Sequence, residues 1–271
     1  MGLQRRKRQL KKAERGEVPR VYREKQGNDE VTFPNKLLSR LSSEAQTFLA
    51  PYAITQCLLG GNEVYPLGAP FTHACFPGTA ILSLMTDLDH DGANAEKVSI
   101  GREGFLGLAL ILGGERALSR SVVRVSGSAT LIPIPVLNEA SERFACLRVA
   151  TRRYAQTLVI QLMETVAGAR IESSAVQVAH WLALAFDRMD GAVLELKQDE
   201  LAESLGIGRI STSNALQDLR QRQIVEYSRG RITALDPEGL RTIAGPRYAR
   251  IRQAYAWQDE MEEDGAIALG L

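Results

Sequence analysis

Residues 198–220, QDELAESLGIGRISTSNALQDLR, constrain the fold more than any other stretch of this chain. They read as two short amphipathic helices joined by a tight turn. Ala202 is small enough for close contact between helices, and Gly206 can end the first helix in a left-handed conformation at no steric cost. A second helix over 209–221 then buries Thr212, Ala215, Leu216 and Leu219 at helical spacing. Its other face carries Arg209, Ile210, Ser211, Ser213, Asn214 and Arg220. A slim helix with short polar residues and an arginine near its start fits a DNA major groove. The competing reading is a helical hairpin whose polar face is merely solvated. Residues 224–228 and 232–235 are β-like and flank the turn Arg229-Gly230-Arg231. A hairpin with arginines at its tip, directly after such a helix, is the pattern of a winged helix, and the arginines can reach phosphates. The DNA-contact candidates are therefore Gln198, Arg209, Ile210, Ser211, Ser213, Asn214, Arg220, Arg229 and Arg231.

Nothing in the bulk properties announces nucleic acid. The formal net charge is only +1 over 271 residues, so the basicity is local. Cys57, Cys75 and Cys146 stand far apart, with no spacing for a metal site or a disulfide framework, which suits a reduced, cytoplasmic chain. No signal-peptide core is evident, and the apolar runs at 105–112 and 131–135 are too short to span a bilayer. The chain lacks a nucleophile, base and orienter set, so an enzyme is not expected.

Composition shifts divide the chain. Residues 1–32 form a basic segment, with Arg5, Arg6, Lys7 and Arg8 clustered, too poor in apolar residues to fold alone; it reads as a solvated tail or a phosphate-contacting arm. Residues 33–138 begin with two short helices, near 35–41 and 42–49. β-like runs follow at 52–59, 62–65, 73–76, 80–85, 96–100, 121–125 and 129–134, split by glycine and proline turns. Many short strands at close spacing predict a sandwich or barrel. The turn Asp89-His90-Asp91-Gly92 resembles a metal loop only superficially and reads as a hairpin tip.

Residues 139–170 read as a long helix. Leu147, Thr151, Tyr154, Leu158, Leu162 and Thr165 recur at steps of three and four, the seam of a helix pair. The strand-rich domain is small, so the seam is assigned to a dimer interface rather than to packing within the chain. Gly168 is expected to mark the helix end. A second apolar helix over 171–189 carries His180 and Trp181 as packing residues and opens a DNA-binding unit over 171–245, followed by a tail at 246–271.

This order resembles the Crp–Fnr family of bacterial transcription regulators. The resemblance is carried by Asn35-Lys36-Leu37-Leu38, by residues 61–70 (GNEVYPLGAP), by 100–107 (IGREGFLG), by Trp181-Leu182-Ala183, Asp187-Arg188, 201–206 (LAESLG) and 229–233 (RGRIT). It implies an α+β chain: an N-terminal eight-stranded β-roll of the jelly-roll, cyclic-nucleotide-binding type, a long dimerisation helix and a C-terminal winged helix-turn-helix. The implied partners are double-stranded DNA with a two-fold operator, a second copy of the chain and RNA polymerase, with no membrane.

Departures from the family pattern bear on mechanism. Nucleotide-binding members place a ribose-holding Glu after the Gly that matches Gly107, and an Arg-Ser or Arg-Thr pair grips the cyclic phosphate. Here Leu108 stands at the Glu position, while Arg120-Ser121 lies slightly farther along than the family's pair. Unpaired ribose hydroxyls would cost about 1–3 kcal/mol each. The candidate effector pocket is thus Gly107, Leu108, Arg120 and Ser121, with its sugar half lost. No cysteine precedes Cys57, which argues against a family-type iron–sulfur cluster, and His73 near Cys75 is a weak basis for haem; no cofactor or metal is assigned. The groove-facing Arg-Glu-Arg of well-known members becomes Arg209, Ile210 and Asn214, and Lys197 replaces a common Thr cap. The alternatives are a cyclic-nucleotide-responsive regulator, a ligand-binding module whose C-terminal part serves assembly, or a constitutive regulator with a purely structural β-roll.

Overall fold

Helix α1 (Lys36–Ser39) is set by one side chain. The Asn35 carboxamide oxygen accepts the N–H groups of Leu37 and Leu38 at 3.0 and 3.2 Å. Its amide nitrogen donates to the carbonyls of Pro77 and Gly104, both at 2.8 Å. Asn35 is fully buried, so a single residue caps a helix and ties it to two distant loops. Helix α2 (Ser43–Leu49) is capped by the Ser42 hydroxyl. The computed structural model describes residues 32–87 and 94–264; the basic segment and the Asp89–Gly92 turn lie outside the described residues.

Strands β1 (Ile54–Leu58), β2 (Glu63–Tyr65), β3 (His73–Pro77), β4 (Ile81–Asp87) and β5 (Asn94–Ile100) precede the short helix α3 (Leu108–Ile111), and β6 (Arg120–Val125) and β7 (Gly127–Pro133) follow it. They form two antiparallel sheets, ordered β1-β7-β3 and β2-β6-β4-β5. Every β-like run expected in this region forms a strand. The family pattern implied eight, but among the described residues there are seven, and Pro70 meets Arg116 only in an isolated bridge. The core is apolar and aromatic: Phe76 stacks on Phe105 at 4.9 Å between centroids, and Tyr154 approaches Phe105 at 5.5 Å. A Cβ at Gly104 would stand 1.9 Å from the Tyr154 ring, so only glycine fits there.

Helix α4 (Ile134–Arg143) leads into α5 (Ala145–Ile171), and here the expected dimer seam is corrected. Leu147, Tyr154 and Leu158 are buried in the core of their own β-roll, and Leu162 packs on its margin. Thr151 and Thr165 are half-buried and return their hydroxyls to the Leu147 and Gln161 carbonyls, each at 2.8 Å. The roll, with Phe105 at its floor, is wide enough to cover a whole helical stripe. Gly168 does not end the helix either. The break comes at Glu172, after which the Ser173 hydroxyl caps α6 (Ser174–Asp187).

Strand β8 (Val193–Glu195), α7 (Gln198–Leu205), α8 (Arg209–Gln221), β9 (Val225–Ser228) and β10 (Arg231–Ala234) complete a winged unit whose sheet runs β8-β10-β9. Strand β8 was not expected from the sequence. A second core gathers α6, α7, α8 and the wing, and it takes in Ile81 and Val125 from the β-roll. His180 and Trp181 are buried packing residues, as expected; burial first, then the nearby Arg247 and Arg188, push the His180 imidazole down to about 3. The expected tail after 245 is a further correction. Helix α9 (Pro237–Asp264) breaks its helical geometry at Gly245 and then resumes through Pro246, with Tyr248, Ile251 and Ala254 buried against the other helices.

Asn35→Ala should lower the unfolding free energy by about 3–8 kcal/mol, the sum of a lost cap and two stranded buried carbonyls. Urea denaturation checks this. A loss near that of an exposed cap alone would mean that the Pro77 and Gly104 carbonyls find other donors.

Candidate functional site

The outer face of α8 is built by what the inner face buries. Thr212, Ala215, Leu216 and Leu219 turn inward, and the Thr212 hydroxyl returns to the Gly208 carbonyl at 3.3 Å. That rotation leaves Arg209, Ile210, Ser211 and Asn214 exposed and Ser213 half-buried. Ile210 is 79% exposed, a large apolar side chain in water at the start of a helix. Gln217 continues this face and was not among the sequence candidates, although its spacing from Asn214 could have placed it there. The turn before the helix works as expected: Gly206 adopts φ 63° and ψ 25°, a left-handed cap that reverses the chain within a few residues. Lys197 offers no side-chain oxygen as a cap, and the Glu200 carboxylate instead accepts the Lys197 N–H at 2.9 Å. Gln198 sits half-buried in the first turn of α7.

The wing brings the remaining candidates to one edge. Ser228 pairs with Arg231 across a two-residue loop, Arg229-Gly230, in which both residues have positive φ, at 50° and 77°. This is the geometry that twists with the hairpin, and it leaves Arg229 exposed at the tip. Three of the candidate arginines rest on carboxylates: Arg209 on Asp199 at 3.1 Å, Arg220 on Glu226 at 3.0 Å and Arg231 on Glu195 at 3.3 Å. All six side chains are largely exposed. Such pairs are worth about 0–1 kcal/mol and can yield to a phosphate or a guanine edge.

The DNA-facing unit is docked on the β-roll. Asn94 of β5 donates to Glu203 at 3.2 Å, and Arg124 of β6 pairs with the same carboxylate at 3.0 Å. Trp181 donates to Glu96 at 3.1 Å, and Ser83 donates to the same carboxylate. Burial raises the Glu96 carboxyl above its usual range, against the opposing pull of Ser83 and Arg124. At the other end of β5, Arg188 donates to Glu103 at 2.9 Å and to the Ser99 hydroxyl at 2.6 Å.

The residues of the expected effector pocket lie at the start of α3 and at the head of β6. Leu108 begins α3 and packs on the margin of the apolar core. Ser121 is fully buried, and its hydroxyl accepts the Tyr65 N–H at 3.0 Å and donates to the Tyr65 carbonyl at 3.3 Å. It serves the pairing of β2 with β6. Arg120 is half-buried at the head of β6. Cys75 is buried, its thiol pushed up to about 12 by desolvation, and burial holds His73 below its usual value. A cavity of about 410 Å³ lies elsewhere, between the β-roll, the end of α6 and α9, and none of Gly107, Leu108, Arg120 or Ser121 lines it.

The architecture is that of a β-roll protein with a winged helix-turn-helix DNA-binding domain. Residues 176–243 match the family model of the Crp-like helix-turn-helix domain. Among solved structures, FixK2 from Bradyrhizobium japonicum is 16% identical, with a TM-score of 0.57 over 72% of this chain and 98% of that one. A CRP-family transcriptional regulator from Thermus thermophilus is 17% identical, with a TM-score of 0.55 over 70% and 97% of the two chains. A second Thermus regulator, of the CRP/FNR family, is 18% identical, with a TM-score of 0.53 over 72% and 100%. At these identities the structures establish the fold. Compared with curated proteins, the chain has no match. The chain is thus similar to Crp/Fnr regulators in two respects: residues 176–243 match their helix-turn-helix domain, and the whole fold, a β-roll followed by a winged helix-turn-helix, is shared with the solved structures. No helix among the described residues is long and apolar enough to cross a membrane.

Arg209→Ala should weaken binding to the specific operator by about 1–3 kcal/mol and leave random DNA nearly unaffected, because a bidentate guanine contact carries sequence information. Changing Arg229 and Arg231 together to Ala should instead lower affinity on all sequences and flatten the salt dependence by up to about two units of slope. Fluorescence-anisotropy titrations over a salt series measure both. Equal losses on specific and random DNA would make Arg209 a phosphate contact.

Proposed function

We propose that the chain acts in the cytoplasm as a homodimeric, sequence-specific regulator that places two copies of α8 in successive major grooves of a two-fold operator. The observation that carries this reading is the outer face of α8, where Arg209, Ile210 and Asn214 stand exposed beside the wing. Arg209 suits guanine O6 and N7, Asn214 suits adenine, and Ile210 suits a thymine methyl. RNA polymerase would be met by the DNA-bound dimer. No catalytic role is assigned to the chain.

The dimer surface follows from the corrected face of α5. Arg152, Gln156, Val159, Met163, Val166 and Arg170 are all exposed and recur at alternating steps of four and three. This is a heptad seam rotated by one residue, about 100° around the helix, from the one read in the sequence. Val159, Met163 and Val166 are 47%, 67% and 63% exposed, an apolar stripe for a second copy to cover. Met163→Lys sets two like charges against each other across a two-fold axis without entering the protomer core. Analytical ultracentrifugation should find the wild type dimeric and this variant largely monomeric, with an unchanged circular dichroism spectrum. A wild type that is monomeric at micromolar concentration would defeat the assignment.

The β-roll is proposed to be a poor cyclic-nucleotide receptor. Leu108 supplies no ribose acceptor, and the Ser121 hydroxyl is already engaged by Tyr65. Millimolar cyclic AMP or cyclic GMP is therefore expected to give little heat of binding and little change in operator affinity, and operator binding should need no nucleotide. A nucleotide that barely binds cannot shift a two-state equilibrium. Micromolar affinity together with a tenfold gain in DNA binding would overturn this.

A further inference from the structure

We infer that the cleft between the β-roll, the end of α6 and α9 is a binding site for a small hydroxylated organic phosphate, of the sugar phosphate or polyol phosphate kind. The cleft encloses about 410 Å³, within the range of sites that take small metabolites. Its cations come from separate parts of the fold: Lys36 from α1, Arg102 from the loop after β5, Arg188 from the end of α6, and Arg241 and Arg252 from α9. Glu103 and Asp187 are the carboxylates in its lining, and Asp190 and Glu238 reach Arg102 and Arg241 from outside it.

Not all of that charge is used within the protein. Arg188 is committed to Glu103 and Ser99, and Arg241 to Asp187, Glu238 and Tyr248. Arg252 reaches Asp187 only at 3.7 Å and is 53% exposed. Lys36 is exposed on α1, and its ammonium is held below the usual lysine value, first by partial desolvation and then by repulsion from Arg102 and Arg40. Repulsion of this sign is relieved by an anion.

Two buried atoms of the lining add a chemical signature. Arg102 Nε and Glu103 Oε2 find no hydrogen-bond partner within the protein. The lining therefore lacks one acceptor and one donor, and buried groups left in that condition are costly. Arg102 and Glu103 both line the cleft, and a small rotation of each side chain would offer these atoms to a ligand's phosphate oxygens and hydroxyl. Leu184, Phe186, Met189 and Ala256 give the rest of the wall an apolar character that suits a carbon skeleton.

A ligand held by Lys36 and Arg102 on one side and Arg252 on the other would strap the β-roll to the helix that packs on the DNA-binding domain. The inference gives the regulator proposed above an effector site. Binding is measured on DNA-free protein, so failure of the cleft and failure of operator recognition are read separately. Isothermal titration of the full chain would use glucose 6-phosphate, inorganic phosphate and glucose as probes. Glucose 6-phosphate should bind at least about ten-fold more tightly than inorganic phosphate, and glucose should give no heat. Lys36→Ala combined with Arg252→Ala, both at exposed positions, should weaken glucose 6-phosphate binding by about ten-fold or more while leaving the melting temperature of the free protein unchanged. Absence of heat with both phosphates at about ten millimolar would overturn the inference. So would undiminished binding in the double variant, which would move the anion to another basic surface.

Discussion

Arg188 carries a full charge into the seam between the two halves of the chain, and the surrounding packing is organised to satisfy it. It sits just past α6, 5% exposed, and gives its hydrogen bonds to Glu103, to the Ser99 hydroxyl and carbonyl, and to Tyr255. Burial alone would ease the proton off, but the Glu103 carboxylate more than offsets it and raises the guanidinium above its usual value. A buried pair of this kind contributes little net stability, whereas losing one partner leaves the other uncompensated. Its effect is therefore to specify an arrangement. The β-roll supplies the acceptors, α6 brings the guanidinium, and α9 brings Tyr255, so the charge is satisfied only when all three are in place.

That requirement gives the chain a way to connect its ends. The acceptor strand, β5, also holds Asn94 and Glu96, which engage Glu203 and Trp181 of the helix-turn-helix unit. One strand thus contacts the DNA-binding domain near both of its ends. A change in the angle between the domains must break several polar contacts together, which is the condition for two discrete states rather than a continuum.

The helix-turn-helix was legible because its constraints are local. A left-handed Gly206, a small Ala202 and an inward set from Thr212 to Leu219 admit few arrangements. The seven strands of the β-roll were legible from the turns between them, whereas the three-residue β8 was too short to show a pattern. The stripe from Leu147 to Thr165 was read as outward-facing because α5 is apolar on two sides at the same period. Leu147, Tyr154 and Leu158 keep step with Val159, Met163 and Val166, and periodicity cannot say which row the β-roll covers. The helix after 245 was hidden by Gly245-Pro246, a pair that reads as a stop but also suits the first turn of a new helix. The cleft was beyond sequence reading because Lys36, Arg102 and Arg252 share no local pattern.

The position of α9 along the chain has a bearing on assembly. The ribosome delivers this helix after every element it packs on, so the β-roll, α5 and α6 emerge before Tyr255 and Ile251 exist to cover them. Until then Arg188 and Glu103 lack the cover of Tyr255. The contacts that α9 makes with Thr157, Gln161 and Glu103 span roughly a hundred residues or more of chain, and contacts of such separation form slowly. Folding of this chain should therefore end on a late docking step, in which α9 completes the second core and closes it against the β-roll in one move.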